Sequence, residues 1–164
     1  LQVGADDYIP KPFSMIMIAT KIKNLFRTRY RAIEHYSNSL EVEPEKVALN
    51  PLDEELLKKA VAIVEKHMDN VEFSTEIFAR EMCMSRSNLH IKMKALTGES
   101  ANDFIRKMRF NQACKLLKEG KYTVSEISGM VGFNTPSYFA TSFKKYFGCL
   151  PSEYTKPRVH KQID

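Results

Sequence analysis

The stretch Tyr122–Gly148, YTVSEISGMVGFNTPSYFATSFKKYFG, is matched upstream by Phe73–Gly98, FSTEIFAREMCMSRSNLHIKMKALTG, and this duplication decides the fold. The first halves align at an offset of 49, pairing Phe78 with Ile127, Ala79 with Ser128 and Met82 with Val131. Past the turn the offset becomes 50, pairing Leu89 with Phe139, Met93 with Phe143 and Gly98 with Gly148. One extra turn residue in the second copy accounts for the change. Each copy reads as a short helix, a tight turn and a second helix. The apolar pairs face inward, and the small residue (Ala79 or Ser128) lets the helices approach. That is the requirement of a helix-turn-helix, whose second helix keeps one face outward. In DNA-binding versions that face enters the major groove.

Between the copies lies a helical run, Ser100–Glu119, of about 30 Å at ~1.5 Å per residue. Successive major grooves on one face of B-DNA are ~34 Å apart, so a rigid helix of this length suits two recognition helices one DNA turn apart. Its apolar positions Phe104, Ile105, Met108, Ala113, Leu116 and Leu117 can serve both subdomains, while Arg106, Lys107, Arg109 and Lys115 are expected to supply positive charge. Start signals recur at Ser74, Ser85, Ser100 with Asp103, and Thr135-Pro136, and Thr123 with Glu126 forms a capping box. Gly98, Gly120 and Gly148 each follow a helical run. Upstream, Asn50 and Pro51 open a helix with Leu56, Leu57, Ala60, Ile63, Val64 and His67 on one face, and Pro151 opens a last short one.

The N-terminal part differs. In LQVGADDYIPKPF, residues 1–13, Tyr8-Ile9 suits a short strand stopped by Pro10 and Pro12. From Ser14 to about Tyr36 a helical stripe runs through Met15, Ile18, Ile22 and Leu25, with Arg27, Arg29 and Arg31 in its second half. Residues 37–50, SNSLEVEPEKVALN, are polar and without sustained period, as a linker is.

Of the 164 residues, 43% are apolar and 27% charged, ordinary values for a globular protein, which speaks against wholesale disorder. No apolar run is long enough for a membrane span, and Leu1 in place of Met suggests a piece of a longer protein. Cys83, Cys114 and Cys149 are odd in number and lack C-x-x-C spacing, which fits a reducing compartment; Cys83 and Cys114 are expected in the core. The net charge of +5 is concentrated: residues 99–164 hold eleven basic and six acidic groups, whereas residues 53–98 hold seven and eight. A basic C-terminal third suits an anionic partner such as nucleic acid. His35, His67, His90 and His160 are scattered, so no metal and no cofactor is expected. No nucleophile elbow, zinc-protease motif or P-loop occurs, and no enzymatic activity is expected of this segment.

Residues 53 to 157 resemble the AraC/XylS-type transcription-factor DNA-binding domain. The most specific part is VGFNTPSYFATSFKKYFGCLPSEY, Val131–Tyr154, with the family's Gly-Phe, Ser-Tyr-Phe, Phe-Lys-Lys, Phe-Gly and Pro-Ser-Glu-Tyr. In the first copy, Ser85, Leu89, Lys94 and Gly98 fit; Met93 replaces the usual Phe, and Cys83 stands where the family has a turn glycine. Arg109 falls at the family's linker-helix arginine. Separately, GADDYIPKPF, Gly4–Phe13, resembles the end of a response-regulator receiver domain, in which Lys11 would be the lysine that contacts the phosphoryl group. The two resemblances together imply a bacterial two-component regulator or hybrid sensor–regulator. Phosphorylation of the upstream receiver portion would then change dimerisation or domain arrangement.

The expected fold is all-α: two helix-turn-helix subdomains joined by a long linker helix, about seven helices, preceded by a strand–helix receiver remnant. The segments are 1–36 (remnant), 37–50 (linker), 51–158 (DNA-binding domain) and 159–164 (tail). On the first recognition helix Arg86, Ser87, Asn88, His90, Ile91 and Lys94 should lie off the Leu89/Met93 core face. Asn suits adenine, Arg or Lys guanine, and Ile91 a thymine methyl; the plainer alternative for each is a solvated surface position. On the second, Thr135, Pro136, Ser137, Ala140, Thr141 and Lys144 should face DNA, with Lys144 and Lys145 suited to phosphates. The expected partners are double-stranded DNA, a second copy in a homodimeric parent, and RNA polymerase, in the cytoplasm, with no membrane contact by this segment although the parent can be anchored in the inner membrane. Residues 1–36 are expected to expose Ile18, Ile22 and Leu25. Rival readings are a ligand-gated AraC-type regulator and, from another class, a helical phosphotransfer or protein-interaction module. The latter would need an exposed phosphorylatable histidine.

Overall fold

A computed structural model describes residues 11, 14–38, 44 and 51–154. Within them run seven helices: α1 Met15–Asn38, α2 Pro51–Lys66, α3 Thr75–Glu81, α4 Arg86–Thr97, α5 Ala101–Glu119, α6 Val124–Met130 and α7 Pro136–Phe147, followed by a 3-10 turn Pro151–Glu153. No strand occurs among the described residues. The expected strand at Tyr8-Ile9, the cap Asn50 and the tail 159–164 lie outside them. No described helix is long and apolar enough to cross a membrane.

The described residues divide into two compact units. One comprises the residues up to Lys66 with Ser74–Met108, the other His67–Phe73 with Arg109 onward. Helix α5 runs unbroken from Ala101 to Glu119 and contributes to both.

In the first unit, Pro51 stands at the first position of α2, with Asp53 and Glu54 in its first turn, where carboxylates meet the helix's free N–H groups. The helix buries Leu57, Ala60, Ile63 and Val64. His67 does not continue that stripe. The helix ends at Lys66, and the His67 ring stacks on Phe73 at 4.6 Å in the other unit. Ser74 Oγ accepts the Ile77 N–H and opens α3, and Ser85 Oγ accepts the Asn88 N–H and opens α4. Helix α3 buries Phe78 and Ala79, and α4 buries Leu89, Met93, Leu96 and Thr97. Phe78 stacks on Phe104 of α5 at 6.2 Å. Ser100 Oγ accepts the Asp103 N–H at 3.1 Å and donates to its carboxylate at 2.6 Å, which holds the Asp103 carboxyl below its usual range.

Helix α1 belongs to this unit and lies against α4. Ser14 Oγ accepts the Met17 N–H at its start. Among its described side chains Ile18 and Lys21 are half-buried and the rest exposed, Ile16 at 80% and Phe26 at 62%. Ile22 and Leu25 are exposed as expected; Ile18 is partly covered.

The second unit is built around Phe110, which is fully buried. Its ring lies 5.6 Å from those of Phe133 and Phe143 and 6.4 Å from that of Phe139. Ala113, Cys114, Leu116, Leu117, Ile127 and Val131 complete the core, with Tyr154 packed on its edge. Removing so buried an aromatic ring costs about 3–5 kcal/mol. Thr123 and Glu126 form the expected capping box of α6, and Thr135 Oγ1 accepts the Tyr138 N–H with Pro136 in the first turn of α7.

Candidate nucleic-acid interface

The turns that carry α4 and α7 are the same object in two sequences. In the first, Cys83 N–H donates to Arg80 C=O at 3.0 Å and Met84 N–H to Ala79 C=O at 2.9 Å. In the second, Gly132 donates to Gly129 at 3.0 Å and Phe133 to Ser128 at 2.9 Å. The turn residue is left-handed in both, with φ 59° at Cys83 and 72° at Gly132. A side chain in that region costs roughly 1–2 kcal/mol, so the first turn is made against a local penalty. Cys83 is exposed rather than in the core, because the turn carries it out to solvent; Cys114 is buried as expected. The Cys83 thiol meets Lys59 Nζ at 4.0 Å.

The second turn cannot take a side chain. A Cβ on Gly132 would stand 2.6 Å from Arg109 Nη2 and 2.6 Å from Met68 C=O. Arg109 donates from Nη2 to Asn70 C=O at 2.7 Å. The linker-helix arginine therefore clasps the 67–73 loop against the Gly132 turn within the second unit. This corrects the expectation that Arg109 supplies surface charge. Burial lowers the pKa of its guanidinium. Lys107 is corrected in the same way: it is 1% exposed, its ammonium lies 3.6 Å from Glu99 Oε1, and burial depresses its pKa. Arg106 is half-buried and paired with Asp103, whereas Lys115 is exposed.

Of the residues expected to face DNA, all but Ala140 are exposed. Arg86, Ser87, Asn88, His90, Ile91 and Lys94 are exposed on α4, and Thr135, Pro136, Ser137, Thr141, Lys144 and Lys145 on or just before α7; Ala140 is half-buried. At about 100° per residue, Ser87, Ile91 and Lys94 fall opposite the buried Leu89/Met93 side. Ser137, Thr141 and Lys144 fall opposite Phe139/Phe143 in the same way. These triads are equivalent under the repeat. Ile91 is 64% exposed, far more than an aliphatic side chain in a helix-turn-helix core. The Thr141 hydroxyl donates to Ser137 C=O at 2.9 Å and the Thr135 hydroxyl is spent on its cap, so the polar groups of α7 are partly committed to its own backbone. Asn88 engages the Ser85 cap through its backbone N–H. Lys11 is exposed.

Sequence reasoning missed Lys92 on α4 and Tyr138 on α7, both exposed, Tyr138 at 59%. The signal was present: Tyr138 is three residues before Thr141 and seven before Lys145, hence on their side of the helix. A cleft of about 690 Å³ opens beside the start of α4, lined by Thr75, Arg86, Ser87, His90, Ile91 and Asn102 among others. The half-buried, ring-stacked His67 is not the exposed histidine that a phosphotransfer module needs.

Residues 78–157 match a family described as a helix-turn-helix domain. This part of the chain carries a helix-turn-helix domain similar to that of AraC-like transcription regulators. The C-terminal domain of the two-component response regulator YesN from Fusobacterium nucleatum is 27% identical, with a TM-score of 0.57 over 60% of this chain and 96% of its own. The DNA-binding domain of AdpA, a global transcriptional factor solved with a target DNA, is 28% identical, with a TM-score of 0.56 over 60% of this chain and 87% of its own. Histidine kinase P4 of Formosa agariphila is 40% identical over 154 residues, or 94% of this chain. The chain spans 11% of that protein's length, and 28% of that of the Msm operon regulatory protein of Streptococcus mutans, which it also matches.

Proposed function

We propose that this chain is the DNA-reading output segment of a two-component regulator, of the hybrid kind in which sensor and regulator share one polypeptide. The carrying observation is the equivalent pair of exposed triads, Ser87/Ile91/Lys94 and Ser137/Thr141/Lys144, each on a capped helix whose other side is buried. Lysines bring the segment to DNA by displacing counterions. Each helix then enters a major groove, the two grooves being neighbours on one face of the duplex. Helix α4 carries the groups that discriminate bases: Arg86, Asn88, His90 and Lys94, with Ile91 toward a thymine methyl. Helix α7, whose Thr135 and Thr141 hydroxyls are engaged locally, contributes Lys144 and Lys145 to phosphates and Ser137 and the Thr141 methyl to packing.

The likeness along 94% of the chain to a protein named as a histidine kinase, together with GADDYIPKPF, supports residues 1–36 as the end of a receiver domain whose phosphorylation alters dimerisation or arrangement of the parent. The segment itself performs no catalysis in this reading. It works in the cytoplasm, acts as part of a homodimeric parent, and RNA polymerase is a further partner.

The test is selection of bound DNA from a random pool, then mobility shifts on selected and random duplexes at two salt concentrations. Asn88→Ala and His90→Ala should each weaken selected DNA about 5–100-fold, the equivalent of ~1–3 kcal/mol per base contact, and leave random DNA unchanged. Lys145→Ala should weaken both alike and lower the salt slope by about one. Equal losses on both duplexes would remove Asn88 and His90 from base reading. An unselective wild-type chain would sink the regulatory reading.

A further inference from the structure

Arg86 stands at the first position of α4, where the recognition helix begins, and it is not free. Its Nη1 lies 2.8 Å from Oε1 of Glu76, in the first turn of α3. The other carboxylate oxygen of Glu76 accepts from Thr75 Oγ1 at 3.4 Å. Both partners are exposed, Arg86 at 69% and Glu76 at 55% of side-chain area. An ion pair so exposed adds little stability, so its effect must be sought in what the guanidinium does next. Arg86 and Thr75 also line the cleft beside α4, with His90.

We propose that Glu76 is a positioning and specificity-determining residue: it holds Arg86 as a base reader and keeps it from serving as a phosphate anchor. The inference rests on the DNA-binding reading above and assigns a role at that same surface. A guanidinium has five N–H donors in a planar fork. Glu76 occupies one terminal nitrogen and leaves the rest of the fork for the paired acceptors of a guanine edge, O6 and N7. A backbone phosphate at the same arginine would come close to the Glu76 carboxylate and be repelled by it. A neutral base edge meets no such penalty. Glu76 thus raises specificity chiefly by weakening the wrong contact, since phosphate contacts carry no sequence information.

The test compares the wild-type chain, Glu76→Gln, Arg86→Ala and the double variant on selected and random duplexes, with circular dichroism melting to show that each is folded. Glu76→Gln should tighten random DNA about 3–10-fold, the range of one exposed charge contact, and change selected DNA less, so the selected-to-random ratio falls by a similar factor. On random DNA its salt slope should steepen by about 0.9, the signature of one more phosphate contact. With Arg86→Ala already present, Glu76→Gln should leave the ratio unchanged. An unaltered ratio in the single variant, or the same fall with and without Arg86, would overturn the proposal and reduce Glu76 to a surface charge, while the regulatory reading would stand. A wild-type chain with no preference for selected DNA would overturn both.

Discussion

Alanine at the two equivalent turn positions should have very unequal consequences. At Gly132, φ 72° imposes the left-handed penalty of roughly 1–2 kcal/mol on any added side chain. The new Cβ would also stand 2.6 Å from both Arg109 Nη2 and Met68 C=O. One is the end of a side chain, but that end is engaged with Asn70 C=O at 2.7 Å; the other is backbone. Neither yields cheaply, and overpacking of this kind adds about 1–3 kcal/mol. Gly132→Ala should therefore cost about 2–5 kcal/mol and loosen the 67–73 loop. Cys83 already has a Cβ at φ 59° and its thiol is exposed, so Cys83→Ala should stay within about 0.5 kcal/mol of wild type. Cys83→Gly should stabilise by about 0.5–1 kcal/mol, the relief of the left-handed penalty less the entropy that glycine adds to the unfolded chain. Urea unfolding followed by far-ultraviolet circular dichroism measures all three, with thermal melting as a second readout at about 4–8 °C per kcal/mol for a small domain. A Gly132→Ala cost below about 1 kcal/mol, or a Cys83→Ala cost equal to it, would refute the clasp as the reason for the glycine.

Three further substitutions probe ionisable groups packed into the fold. Lys107, 1% exposed and 3.6 Å from Glu99, should be replaceable by Met with neutral or stabilising effect, whereas Glu99→Gln should cost about 3 kcal/mol by removing a counter-charge beside a buried ammonium. Because burial lowers the Lys107 pKa, the folded chain sheds that proton before the unfolded one, so the Glu99→Gln deficit should shrink as pH rises toward 10.5; a flat deficit would count against a buried charge. The Tyr154 hydroxyl donates to Cys114 and its pKa is raised to about 12 by that bond and by burial. A raised pKa stabilises fully below the unfolded value of 10 and is lost as pH rises through 12. Tyr154→Phe keeps the ring against Phe143 and Phe147 and should flatten the decline of stability between about pH 10 and 12; an unchanged alkaline limb would rule out the hydroxyl's role.

What was legible in the sequence was whatever repeats or caps. The pairings 79/128 and 89/139, the caps Ser74, Ser85, Thr123 and Thr135, and the outward position of every candidate reader but Ala140 follow from helical period and local hydrogen bonding, which are properties of short stretches. What stayed hidden was set by distant contacts. Phe110 gave no signal because α5 has no single apolar stripe: its buried positions pass from Phe104, Ile105 and Met108 to Phe110, Ala113, Cys114 and Leu117 as it leaves one unit for the other. The placement of His67 with Phe73 depends on Arg109, about forty residues on, reaching Asn70. Charge was the least faithful guide. The basic excess of residues 99–164 includes Lys107, which is buried beside Glu99, and Arg109, whose guanidinium is held on a backbone carbonyl, so both are engaged within the fold. The exposed basic side chains on the described surface of the second unit are Lys115, Lys118, Lys121, Lys144 and Lys145, with Lys121 3.6 Å from Glu119. Counting charge along a chain predicts an anionic partner correctly only when enough of it remains after the fold has taken what it needs for its own contacts, and here Arg106, Lys107 and Arg109 of the linker helix are taken.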